Sequence, residues 1–560
     1  METITIYCEN TSAELHVPMG TTLKELAATQ DCSVLAALVD NKLKSLDYKV
    51  INPHNVRFIG YSHPDGRRTY IRSLCFVLQK VVREMFPDKV LAIDYSLPSG
   101  LYCEIREKKL MDDGRPQVYF ITDLELEAIE VRMRQIIEAD LPFTKKMVAC
   151  DEAAAMFEAN SQFEKARLLR SLGRFHYNVY WLDGVADTFY GPLTTSTGCL
   201  TIFDLAGFND GFLLQYPMDG DPGRVLPMKR QSKIATALKE HSDWCSVMGV
   251  TGVGTLNGKV RSGEIVDLIN LSEALHERKY AEIANQIYAR RGSVKIVFIA
   301  GPSSSGKTST SKRLAIQCRI LGLNPKVIEL DNYFVDREFT PRDANGEYDF
   351  EALGAMDLQF LGQQLNELLD GKEVEVPRFD FKQGKRYFNG DMMQLHDKDI
   401  LIMEGIHALN PAMIPGVDSS KVFRVYASAL TSLSIDENNN ISTSDNRMLR
   451  RMIRDNRTRG VIPEETIMRW QSVRRGENRN IFPYQENADA LFNSAHVFEL
   501  PVLKYYAEPL LRRISPNSPA YTEASRMLKF LSYIVALSPA EIAAIPPTSI
   551  LREFIDGQTL

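Results

Sequence analysis

The densest chemistry in this 560-residue sequence lies in Gly301, Pro302, Ser303, Ser304, Ser305, Gly306, Lys307, Thr308 and Ser309. Glycines at 301 and 306 let the backbone turn so that successive N–H groups face one anion. That is a cradle for the β- and γ-phosphates of a nucleoside triphosphate such as ATP. Lys307 reaches the phosphates as a point charge, and the Thr308 hydroxyl is suited to Mg2+. The motif means something only after a buried strand and before a helix. "VKIVFIAG" in front and "STSKRLAIQCRILG" behind supply both.

A phosphate loop does not by itself separate a kinase from a GTPase, a motor or a transport ATPase. Transfer to a small hydroxylic acceptor needs a carboxylate at the acceptor oxygen, a second near the metal, and arginines over the moving phosphoryl group. Asp331 ends the strand pattern of "VIELDNYF", at the carboxyl edge of a sheet, where ligands bind. Glu404 ends "DILIMEGIH" and is the candidate for the metal or its waters. "RMLRRMIRDNRTRG" carries Arg450, Arg451, Arg454, Arg457 and Arg459 at near-helical spacing, as a lid over a triphosphate would. A solvated basic helix face has the same spacing. The order of phosphate loop, Asp, Glu and Arg-rich segment decides for the lid.

Positioning these groups is the work of the elements around them. From Val294, short apolar strands ("VKIVFIAG", "PKVIEL", "DILIMEG", "KVFRVYAS") alternate with helical stretches. That predicts an α/β fold with a mostly parallel sheet and covering helices. The first 60 residues read strand, strand, helix, strand, which suits a small β-grasp domain. Residues 61–240 mix a helix around "RSLCFVLQKVVREMF" with later strands such as "CLTIFDLAG" and "GFLLQYP", an α+β pattern. Residues 241–292 read as a helical connector, 293–510 as the phosphate-loop domain, and 511–560 as a helical tail around "SRMLKFLSYIVAL". No internal repeat is present.

Composition sets the outer limits. At ~100–200 residues per domain, the length predicts three domains or so. The formal net charge of −6 argues against general polyanion binding while leaving a local basic groove open, and the sequence shows no aromatic-rich basic patch of the kind single-stranded RNA favours. Eight scattered cysteines include no CxxC pair, which fits reduced thiols. "METITIYCEN" has no basic n-region or apolar h-region, and no apolar run approaches the ~20 residues of a membrane span. A cytoplasmic protein without a membrane partner is expected.

On "GPSSSGKTSTSKRLA", "LDNYF", "EYDFEALGAMD", "VPRFDFKQGKR", "MEGIHAL" and "RRMIRDNRTRG", residues 294–510 resemble the uridine–cytidine kinase and phosphoribulokinase family, more its uridine kinase branch. The resemblance implies an ATP- and Mg2+-dependent kinase. In it Asp331 takes the acceptor proton, Thr308 and Glu404 serve the metal, and Arg451, Arg454 and Arg459 form the lid. Tyr333, Asp349, Phe379 and Arg386 would line the acceptor, with Asp349 holding ribose hydroxyls. Phe379 and Gly384 stand where pyrimidine kinases of this type carry a tyrosine and a histidine that read the base. The resemblance therefore implies a nucleoside or another small polyol as acceptor. A sugar phosphate held by Lys382, Lys385 and Arg386 is the alternative within the family.

The first 60 residues resemble the TGS module. Residues 61–240 resemble the editing half of threonyl-tRNA synthetase, through "TYIRSLCFVLQKVVREMFPDKVLAIDYSLPSGLYCEI" and "FYGPLTTSTGCLTIFDLAG". The four His/Cys positions of that site align with Ser73, Val77, Phe189 and Leu193, so hydrolysis by its route is not expected. The resemblance leaves open a partner- or RNA-binding module, and with it a third reading, a nucleotide-gated RNA- or ribosome-associated protein. Homo-oligomerisation is equally open.

Overall fold

The computed structural model describes residues 2–28, 34–110, 116–225, 228–229, 231–342, 346, 348–380, 382–414 and 416–560. The first unit is a five-stranded sheet in the order Ala13–Pro18, Thr3–Cys8, His54–Ile59, Ala36–Val39, Lys42–Lys44. Helix Leu23–Ala27 starts at a Thr22–Glu25 capping box. His54–Ile59, beyond the strands read from the sequence, is the central strand and runs parallel to Thr3–Cys8.

The second unit packs the helix Pro64–Met85 against an antiparallel sheet of Asp204–Phe208, Gly211–Gln215, Gly100–Leu110 and Lys89–Leu97. A small sheet of Val185–Asp187, His176–Leu182 and Thr144–Ala149 completes it. Three helices follow, Ser232–Val247, Val253–Ser262 and Ile265–Ala289, so residue 241 falls inside a helix.

From Ile296 the chain builds a parallel sheet in the order Asn324–Glu329, Asp399–Glu404, Ile296–Ala300, Val422–Ser428, Ala490–Asn493. The strands Ile296–Ala300 and Asp399–Glu404 are buried throughout, as continuous apolar runs covered on both faces must be. In register, Glu404 sits beside both Ile299 and Glu329. The loops beginning near Gly301, Leu330 and Gly405 therefore leave the sheet at one level and one edge. That edge is where the predicted chemistry must assemble.

The tail is not a separate unit. Phe530, Leu531, Ile542, Leu551 and Phe554 share one core with Val253 and Leu256 of the connector and with Met448 and Met452 of the helix Thr443–Arg459. The helix read from "SRMLKFLSYIVAL" spans Tyr521–Leu531 and ends before the last apolar residues of that stretch. Among the described residues no helix is long and apolar enough to cross a membrane.

Candidate active site

Helix Lys307–Ile320 begins at Gly306, whose φ of +79° is open to glycine at little cost. No side chain caps this helix, so its first N–H groups are left for an anion. Ser304 also has a positive φ (57°), strain of the kind found at ligand sites. The hydroxyls of Ser304 and Ser305 are buried without a hydrogen-bond partner among the described residues. Lys307 Nζ donates to the Pro302 carbonyl at 3.3 Å, and the Ser303 N–H donates to Glu477 Oε1 at 3.0 Å. Gly301, Pro302, Ser303, Ser304, Ser305 and Gly306 thus form one loop around unfilled donors.

On one side of this loop, Thr308 Oγ1 donates to Glu404 Oε1 at 2.5 Å. Burial pushes the Glu404 carboxyl up to about 7, Lys307 opposes the shift and Asp331 adds to it. Asp331 is likewise raised by burial, against Lys307 and Arg459 and with Glu329. Three predicted groups therefore sense one another: the lysine, the candidate base and the candidate metal ligand. The oxygens of Thr308, Glu404 and Asp331 are hard donors of the kind Mg2+ takes.

Glu351 joins this cluster, and sequence reasoning missed it. Burial and Glu477 push its carboxyl up to about 7, while Arg451 and Lys307 pull it down and Asp331 raises it further. Asp349, the residue expected here, instead lies 3.6 Å from Arg479 and accepts the Glu351 N–H at 3.2 Å. The 349–351 turn sets one carboxylate beside Arg479 and the other within reach of the charges of Arg451 and Lys307. Two acids two residues apart in "EYDFEAL" were the available signal.

The arginine helix is Thr443–Arg459. Arg451 Nη1 donates to Ser303 Oγ at 2.9 Å, which ties the helix to the phosphate loop. Arg451, Arg454 and Arg459 all hold Asp455, at 3.3, 2.9 and 3.4 Å. Two others leave the lid. Arg450 is fully buried against Glu499 and Ser494, and Arg457 pairs with Asp556 of the tail at 2.8 Å. Arg447, also missed, is buried with Glu477 (Nη2–Oε2 2.8 Å) and reaches the Ser303 carbonyl at 3.1 Å. Burial pushes the Glu477 carboxyl up, but Arg447 and Arg474 hold it below its ordinary value.

On the acceptor side, the hairpin of Arg378–Asp380 and Lys385–Tyr387 packs beside residues 330–333. Phe379 lies 5.7 Å from Phe334, ring to ring. Arg386 pairs with Asp357 at 2.9 Å and covers the Phe360 ring. Tyr333 differs from expectation: its side chain is wholly buried and its hydroxyl donates to Gln364 at 3.0 Å, so it supports the edge instead of lining the cleft. Phe381 of the same hairpin lies outside the described residues. Ser309 also differs. It is buried, donates to Glu553 of the tail at 2.5 Å, and accepts from Gln558.

In the second unit, the four positions aligned with the editing site are filled by packed side chains. Ser73 is buried, bonded to the Thr69 carbonyl and the Thr194 N–H. Val77 and Leu193 are buried with it, and Phe189 packs on Phe76 at 5.3 Å. None of these four side chains is an open nucleophile or base.

Residues 296–500 match the Phosphoribulokinase / Uridine kinase family. The uridine kinase of Macrococcus caseolyticus is 29% identical over 197 residues, covering 35% of this chain and 86% of that protein. The threonine–tRNA ligase of Desulforamulus reducens, similar to the N-terminal half, is 27% identical over 197 residues. That match covers 34% of this chain and only 29% of the ligase. The solved "Possible Uridine Kinase from Bacillus stearothermophilus" is 19% identical with a TM-score of 0.27, covering 38% of this chain and 98% of that one. The C-terminal half of this chain thus carries a domain of the phosphoribulokinase and uridine kinase family, behind an N-terminal half similar to threonine–tRNA ligase.

Proposed function

We propose that the protein transfers the γ-phosphoryl group of ATP to a hydroxyl of a small ribose-like or polyol acceptor. The observation that carries this is the convergence of Lys307, Asp331, Glu351, Glu404 and Arg451 at one edge of the parallel sheet. The orphaned hydroxyls of Ser304 and Ser305 and the uncapped helix start fit a triphosphate. Thr308 and Glu404 would hold Mg2+, which neutralises charge on the phosphates when bound.

In this reading Asp331 accepts the proton of the acceptor hydroxyl. An Asp is a weak base, so positioning and charge stabilisation carry most of the rate. Glu351 accepts hydrogen bonds from further acceptor hydroxyls. Arg451 donates to the transferring group, and Asp455 holds Arg454 and Arg459 ready to close and exclude water.

A nucleoside is the first acceptor class, and a phosphorylated sugar the second. One observation favours the second. Gly384 has a φ of +68°, and a Cβ there would lie 2.7 Å from Arg337. The Arg337 guanidinium thus crowds the position where a base-reading side chain would stand, which gives the acceptor side a cation suited to a phosphate.

The test is ADP release from Mg·ATP with ribo- and deoxyribonucleosides, pentose phosphates and polyols, using Asp331→Asn as control. Acceptor-dependent turnover that falls at least a thousandfold in Asp331→Asn supports the proposal. ATP binding without turnover on any acceptor sinks it and favours a nucleotide-gated binding protein.

A further inference from the structure

Far from the phosphate loop, five cations from five separate stretches meet in one basin. Lys44 comes from the strand Lys42–Lys44, Arg72 from the helix Pro64–Met85 and Lys145 from the strand Thr144–Ala149. Arg174 precedes the strand His176–Leu182, and Lys529 lies on the helix Tyr521–Leu531. Direct contacts tie Arg174 to the segment of Lys529 and seat the first unit on the tail, and the charges of Arg72, Lys145, Arg174 and Lys44 all act on Lys529. Arg174 donates to Ser532 Oγ at 2.7 Å, and that hydroxyl donates in turn to the Lys529 carbonyl. Asn41 donates to the Pro516 carbonyl at 3.0 Å and accepts from Thr522 at 2.9 Å, which docks the first unit on the tail.

None of the five makes an ion pair among the described residues. Arg72 spends its donors on the Pro192 carbonyl and Thr69, and Arg174 on Ser532. Burial, followed by the charges of Arg72, Lys145, Arg174 and Lys44, lowers Lys529 to about 8. Lys44 is lowered by burial and by Lys42 and Lys145. The acids that face the basin are Asp47, whose carboxyl burial raises despite Lys24 and Lys145, Asp436 behind Tyr533, and Asp65, whose charge acts on Arg72. In a chain of net charge −6, this gathering of unpaired cations costs stability unless an anion joins it.

Tyrosines line the same basin. Lys44 lies 4.7 Å from the Tyr48 ring, Lys145 5.9 Å from Tyr180, Arg72 5.8 Å from Tyr190 and Arg174 5.2 Å from Tyr533. Lys145 and Lys529 are exposed, so solvent and solutes reach it. Clustered cations for phosphate and aromatic faces for a planar ring are the two halves of nucleotide recognition. The expectation that the chain lacks a basic, aromatic-rich patch is corrected here: the fold assembles one from residues up to 485 positions apart, Lys44 to Lys529.

We propose that this basin binds a nucleotide through its phosphates, with the base against a tyrosine face. The same chemistry is offered by a free nucleotide and by the terminal nucleotide of a strand. It does not depend on the acceptor proposed for the kinase half.

The test uses the full chain carrying Lys307→Ala, which disables the phosphate loop, without Mg2+. Fluorescence anisotropy is read with labelled ADP and with a labelled RNA oligonucleotide. One or both probes should bind, more weakly as salt rises, and about tenfold more weakly with Lys529→Glu added, as expected for reversing a contacting charge. Lys529→Glu relieves like-charge repulsion, so its melting temperature should equal or exceed that of the parent, which separates lost binding from lost folding. Preference for labelled ADP assigns the free nucleotide; preference for the oligonucleotide assigns a strand end. If neither probe binds, or if Lys529→Glu and Lys145→Glu leave both affinities unchanged, the proposal is overturned.

Discussion

Glu477 holds the phosphate loop and the arginine helix with one carboxylate, and removing it should cost both stability and nucleotide binding. Its oxygens take Arg447 (2.8 Å), Arg474 (2.9 Å) and the Ser303 N–H (3.0 Å), and its side chain and that of Arg447 are each 1% exposed. Glu477→Ala leaves the Arg447 guanidinium in the interior with only the Ser303 carbonyl (3.1 Å) among these partners. Breaking a buried pair from one side costs about 3–5 kcal/mol, and an orphaned buried N–H about 1–3 kcal/mol. The two overlap, so about 4 kcal/mol is expected, or roughly 8–16 °C in melting temperature for a domain of this size. Urea and thermal unfolding followed by circular dichroism read it directly. The double variant Arg447→Met, Glu477→Leu removes both charges while filling the space, and should recover most of the stability. It should not recover nucleotide affinity, because the Ser303 N–H still lacks its acceptor. A loss below about 1 kcal/mol in Glu477→Ala, or a double variant as unstable as the single, refutes this account.

Three further perturbations follow from the same contacts. Gly306→Ala forces a left-handed backbone on a Cβ that meets the Ile550 side chain, so it should destabilise by about 1–2 kcal/mol; adding Ile550→Val should return part of that in urea unfolding. Burial lowers His241 to about 4, so the folded state keeps it neutral, and its contribution is full above about pH 6.5 and lost as pH falls toward 4. That amounts to about 3 kcal/mol, and the stability gap between wild type and His241→Gln should shrink over that window. Glu351 is raised to about 7, so the acceptor KM should climb as pH drops below 7 and Glu351→Gln should flatten that profile with little change in KM for ATP.

Much of the kinase half was legible because its chemistry is tied to strand ends. The buried apolar runs of Ile296–Ala300 and Asp399–Glu404 fix the strand ends before Gly301 and at Glu404, while the half-exposed edge strand Asn324–Glu329 stops two residues before Asp331. Where a turn decides direction, the sequence was silent. Asp349 and Glu351 are both acids in one loop, and only the folded turn aims Glu351 at Lys307. Helical spacing grouped five arginines, but it could not tell Arg450, which faces Glu499 in the core, from Arg451, which faces Ser303. Adjacent helix positions differ by about 100°, and tertiary packing chooses which face is buried. The cationic basin was illegible for a different reason: its members are single residues in five stretches, and none is unusual where it stands.

The front half is fixed to the kinase half by a polar socket. The hairpin 434–440 leaves the parallel sheet and inserts into the second unit just before the arginine helix begins. Glu437 accepts the N–H groups of Glu164 (2.8 Å) and Lys165 (3.1 Å), capping the helix Phe163–Ser171, which has no side-chain cap at its own Ncap residue. Asn438 donates to the Leu91 carbonyl, and Asn439 to that of Thr188. Lys165, wholly buried, pairs with Asp187 and lies 3.6 Å from Asp436. Such buried pairs add little net stability, but they penalise every other orientation, because a shift would strand a charge. The chain passes directly from this socket into the helix whose Arg447 and Arg451 hold Ser303. A second unit whose editing positions are packed shut therefore still holds the segment that leads into the arginine helix, whose start is capped by Ser442.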